Sequence, residues 1–137
     1  MVAERRRIAE RVRQELTIAG LPTLLAGFDP RADVSGVVIE VDDGDDSAGG
    51  VILHWQCSRA LTDQMVTAVA ERRTDDSAIW YAGAVKKAMN AALVQILTAA
   101  GFTVVDNPNG MHMLSLNVRA GPGPEVPLAW ETASGTV

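Results

Sequence analysis

Few residues of this 137-residue chain could do chemistry: two histidines, His54 and His112, one cysteine, Cys57, and an acidic run, Asp42-Asp43-Gly44-Asp45-Asp46. His54 and Cys57 stand three residues apart, a spacing that metal sites use. On a continuous strand an odd separation sends two side chains to opposite faces. Zinc needs three or four ligands, and beyond His112 no further one is evident. No metal is therefore expected. Cys57 falls where a strand hands over to a helix, and a thiol at a helix N-terminus can turn nucleophilic with a histidine as base. It also continues the phase of Val51, Leu53 and Trp55, and free cysteines are among the most buried residues. The packed reading wins, so Cys57 is expected to be buried and chemically quiet. His112 shares the phase of Leu114, Leu116 and Val118 and reads as a structural histidine.

The acidic run does not match a calcium loop. An EF-hand needs alternating ligands, a glycine at the sixth place and a glutamate at the twelfth. The run is read as a solvated hairpin loop. The one basic concentration, Arg5, Arg6, Arg7, Arg11 and Arg13, is interleaved with Glu4, Glu10 and Glu15. Arg6–Glu10 and Arg11–Glu15 have the spacing of intrahelical ion pairs. With a net charge of -5, nucleic-acid binding is not expected. No P-loop, dinucleotide-binding glycine pattern, nucleophile elbow or metalloprotease motif occurs. No catalytic residue and no cofactor is assigned. A second reading gathers Trp55, Cys57, Tyr81 and His112, with His54 nearby, into the pocket of a small enzyme or small-molecule binder.

These residues must be positioned by a small set of elements. Residues 3 to 19 read as an amphipathic helix, with Ile8, Val12, Leu16 and Ala19 recurring at helical spacing and Gly20 and Pro22 ending it. Residues 21 to 35 are a turn-rich connection in which Leu24-Leu25 make a short apolar contact. Val37 to Val41 and Val51 to Gln56 alternate as strands of an antiparallel hairpin. Ser58 is an N-cap for a helix to about Arg73. Thr74 to Ser77 start a long helix that Gly101 stops. Phe102 to Val105 and Met111 to Val118 form a second hairpin across an Asn-Gly turn. Two isolated hairpins are marginal in water. Joining them gives an α+β two-layer sandwich, a four-stranded antiparallel sheet with three helices in the order α-β-β-α-α-β-β. Residues 1–120 make this domain. Residues 121–137, opening Gly-Pro-Gly-Pro, read as a flexible tail that Leu128 and Trp130 could pin.

The long helix carries the functional expectation. Ile79, Trp80, Tyr81, Val85, Met89, Leu93, Val94, Ile96 and Leu97 spread beyond one stripe. Such a helix needs cover on more than one side, and soluble monomers rarely expose large apolar patches. The expected function is non-enzymatic: a protein-binding or assembly protein of adaptor, chaperone-like or regulatory kind. A homodimer is expected through this helix or the adjacent sheet, with Trp80, Val94 and Leu97 at the interface. The polar residues inside the longest apolar window argue against a membrane span. The start of the chain lacks the apolar core of a secretory leader, so the expected location is cytoplasmic.

Overall fold

Apolar residues at helical spacing near the start of the chain build helix α1, Val2–Ile18, which buries Ile8, Ala9, Val12 and Leu16. The computed structural model describes residues 2–25, 35–42, 50–106 and 115–131. After α1 come strands β1, Thr23–Leu25, β2, Gly36–Asp42, and β3, Gly50–Gln56. Helices α2, Arg59–Ala70, and α3, Ser77–Ala99, follow, and strands β4, Thr103–Asp106, and β5, Leu116–Ala120, close the order.

The class is α+β, with three helices and a mixed five-stranded sheet in the order β1-β2-β3-β5-β4. Both expected hairpins are present and antiparallel, and they join through β3 and β5. The four-stranded, wholly antiparallel sheet is corrected by β1. This strand comes from the stretch read as a connection, and pairs parallel to β2 with Leu24 opposite Val38. Three residues are too few to show an alternation, so β1 is specified by its neighbour instead. The Val37 N–H donates to the Pro22 carbonyl at 2.9 Å. Gly36, at φ +147°, lets the two strands meet, because a Cβ there would lie 2.5 Å from the Pro22 oxygen. Of the second hairpin, residues 107–114 lie outside the described residues, and β5 runs two residues past the expected Val118.

One face of the sheet presents Val37, Ile39, Val51, Leu53, Leu116 and Val118. Helices α1 and α3 cover it with Val12, Leu16, Leu93 and Leu97, and Phe102 completes the cluster. Helix α2 packs on α3, where Ala68, Ala78 and Ala82 are buried. Small residues at that contact let the two helices approach closely.

The opposite face carries Val38, Ile52 and Asn117 at its centre, all buried. Asn117 is 0% exposed, and neither its amide nitrogen nor its oxygen has a hydrogen-bond partner among the described residues. A Cβ on Gly50 would lie 3.0 Å from the Asn117 Oδ1, so the glycine makes room for the amide.

All three helices end with the same closure, a backbone N–H donating to the carbonyl five residues back: Leu21 to Leu16, Arg73 to Ala68 and Phe102 to Leu97. In α1 and α3 a glycine, Gly20 or Gly101, takes the left-handed position; in α2 it is Arg72, at φ 58°. The N-caps follow the sequence reading, at Ser58 for α2 and within the Thr74 to Ser77 stretch for α3. Ser58 accepts from Leu61 N–H, and Asp76 accepts from Ala78 N–H at 2.8 Å.

Candidate functional site

Cys57 lies just after β3 and just before the Ser58 cap. It is buried, and burial pushes its thiol up from the ordinary value, with Lys86 on α3 opposing in part. A nucleophilic thiol needs the reverse shift. Trp55 projects from the core face of β3 and packs against the core. His54 projects from the other face, where its strand partner is Val38. Tyr81 is exposed on α3. His112 lies outside the described residues. The described members of the expected pocket thus occupy three different environments. Among the described residues no group of three or more His, Cys, Asp or Glu could hold a metal.

The three expected interface residues separate by depth. Trp80 is 75% exposed, Val94 is half-buried against the core, and Leu97 is 0% exposed. The second half of α3 is therefore covered largely by its own sheet and by α1. Leu97 is not available to a second chain. The exposed large apolar side chains of the two-helix unit are Val66 and Val69 on α2 and Trp80 and Tyr81 on α3.

The segment read as a flexible tail meets α1 through a ladder of polar side chains. Arg7 donates to the Pro122 carbonyl at 3.0 Å. Arg11 donates to the Gly123 carbonyl at 3.3 Å and to the Pro127 carbonyl at 2.5 Å. Glu15 accepts the Ala129 N–H at 2.6 Å. Arg11 and Glu15 are buried, yet no ion pair joins them, contrary to their helical spacing. Glu10 pairs with Arg13 at 2.5 Å rather than with Arg6, and Arg7 also pairs with Glu4 at 2.5 Å. These guanidinium hydrogen bonds hold the Glu4 and Glu10 carboxyls below the usual carboxylate range. One signal for the ladder was present in the sequence. Residues 7, 11 and 15 run beside the apolar 8, 12, 16 stripe, so their side chains lie at the edge of the buried face.

Two recesses accompany these features. A cleft of about 600 Å³ runs between α1 and the segment, lined by Arg7, Glu10, Arg11 and Gln14 on the helix side. Another, of about 390 Å³, is lined by Lys87, Asn90, Asp106 and Ser115 with Ala91 and Val94 as apolar wall.

Comparison with known proteins finds no family model that matches the chain and no curated protein or solved structure that resembles it significantly.

Proposed function

We propose that this chain is a small non-enzymatic protein that works by binding protein, and that its first partner is a second copy of itself. The observation that carries the reading is the 75% exposure of Trp80 on a helix whose opposite side is packed. Tyr81, Val66 and Val69 add exposed apolar area on the same two helices. Exposed aromatic side chains of this size are the usual anchors of interfaces. Charge supports self-association. The chain carries -5 overall, but the stretch from Arg59 to Lys87 holds five cations and four anions. Two copies of this face can meet without the repulsion that the whole-molecule charge would impose. A twofold contact would set the patch against itself. Adaptor, chaperone-like and regulatory roles all act through such a face.

Nucleic acid is left out of the proposal because the arginines of α1 are largely engaged. Arg7 and Arg13 pair with glutamates and Arg11 is buried against main-chain carbonyls. No helix among the described residues is long and apolar enough to cross a membrane. A cytoplasmic location belongs to the same proposal.

Sedimentation equilibrium tests it. A dimer at micromolar concentration is expected, and Trp80→Asp is expected to yield monomers with an unchanged far-ultraviolet spectrum. A wild-type chain that stays monomeric at high micromolar concentration refutes the self-association.

A further inference from the structure

We propose that the recess between α3 and the β4–β5 pair binds a small zwitterion, a free amino acid with an apolar side chain, held between Lys87 and Asp106. The α3 wall is one stripe: Lys87, Asn90, Ala91 and Val94 stand at i, i+3, i+4 and i+7. The strand wall follows from register. Val104 lies opposite the core residue Val118, so Asp106, two residues on and opposite Leu116, shares the face turned to α3. A free cation and a free carboxylate thus border the same open space, of about 390 Å³. That volume falls within the roughly 300–1,000 Å³ of small-molecule pockets.

The pairing pattern of the chain sets these two charges apart. Elsewhere charged neighbours meet: Arg13 with Glu10, Arg59 with Asp63 and Arg73 with Asp76. Neither the Lys87 nor the Asp106 side chain has a hydrogen bond or ion pair, with the other or with any described residue. Exposed charges can remain unpaired in water at little cost. Here, however, the recess they border is not a solvated surface throughout. Asn90 is 9% and Ser115 3% exposed, so polar residues line its enclosed part. Ala91, Val94 and Leu116 supply an apolar wall.

That combination selects a ligand class. A carboxylate suits Lys87, an ammonium suits Asp106, and an aliphatic body suits the wall between them. A simple anion would leave Asp106 facing it with the same charge, and a simple cation would do so at Lys87. A molecule carrying both charges satisfies both walls. Every lining residue comes from one chain, so the recess is complete in a monomer and stands apart from the proposed self-association through Trp80.

Nuclear magnetic resonance titration of the full chain tests this. The probes are L-leucine, its N-acetyl form, which keeps only the anion, and its methyl ester, which keeps only the cation. L-leucine is expected to shift the Asn90, Ala91 and Val94 amide signals saturably at millimolar concentration. Each blocked form is expected to bind about tenfold more weakly or worse. Lys87→Met should weaken leucine about tenfold and leave the methyl ester unaffected, and Asp106→Asn should weaken leucine while sparing the N-acetyl form. Both side chains are exposed, so neither substitution disturbs the core. Should a variant nevertheless fail to fold, the three probes on the unaltered chain decide. No saturable shift, shifts scattered away from the recess, blocked forms that bind as well as leucine, or folded variants that bind leucine undiminished would each overturn the proposal.

Discussion

Cys57 and Asn117 are both enclosed, and each is uncharged at neutral pH for a different reason. Asn117 has no charge to lose. Cys57 would keep its proton at neutral pH even at the ordinary value of 9.0, and burial, which Lys86 only partly offsets, pushes its titration higher still. This has a sign that can be measured. The folded chain holds the thiol proton to higher pH than the unfolded chain does, whose thiol titrates near the ordinary 9.0. The associated stability is fully present below that value and is lost as pH rises through the folded-state value. Cys57→Ser should therefore flatten the alkaline decline in urea-unfolding stability relative to wild type. At neutral pH, native Cys57 should react slowly with a thiol reagent and quickly once denatured. Fast stoichiometric reaction of the native chain would restore the nucleophile reading.

At the scale of elements, the shared helix closure sets up a direct comparison. Helices α1 and α3 end on glycine, and α2 ends on Arg72 at φ 58°. A side chain in that region costs roughly 1 kcal/mol, part of which glycine returns through its freer unfolded state. Arg72→Gly should raise stability by about 0.5–1 kcal/mol in denaturant unfolding. A loss would mean that the Arg72 side chain makes a contact worth more than the strain. The same elements show what could be read in advance. The helices were legible because caps and a 3.6-residue apolar period agree, as at Ser58 and at Ile8, Val12 and Leu16. The hairpins were legible from alternation. β1 was not, since Thr23–Leu25 is too short for a period and depends on the edge of β2. The Arg11 and Glu15 contacts were hidden for another reason. Spacing offered the two a plausible mate in each other, while their real partners are main-chain groups, which leave no mark on residue type. The apolar circumference of α3 showed that cover was needed, but not whether the same chain would supply it at Leu97.

Across the whole molecule, the sheet and its helices distribute contacts very unevenly along the chain. Edge strands β1 and β4 are short, and β4 is interrupted by an irregularity at Thr103/Val104. Short, irregular edges are poor templates for a further strand, so the proposed association through Trp80 would not have to compete with strand addition. The seam between β3 and β5 is the remaining feature of consequence. It pairs Val51 with Val118 and Leu53 with Leu116, residues more than sixty positions apart, at the middle of the sheet. The intervening chain holds the α2–α3 pair, whose contacts are local. Closing a loop of that length costs entropy before the strands repay it, and distant pairings slow folding. The order of events follows: α2 and α3 form early, and capture of β5 by β3 limits the rate. Leu116→Ala, which costs about 2–5 kcal/mol at a fully buried site, should then slow refolding in stopped-flow experiments. If it accelerates unfolding alone, β5 docks after the barrier, and the two halves of the sheet meet only once the chain has committed to its fold.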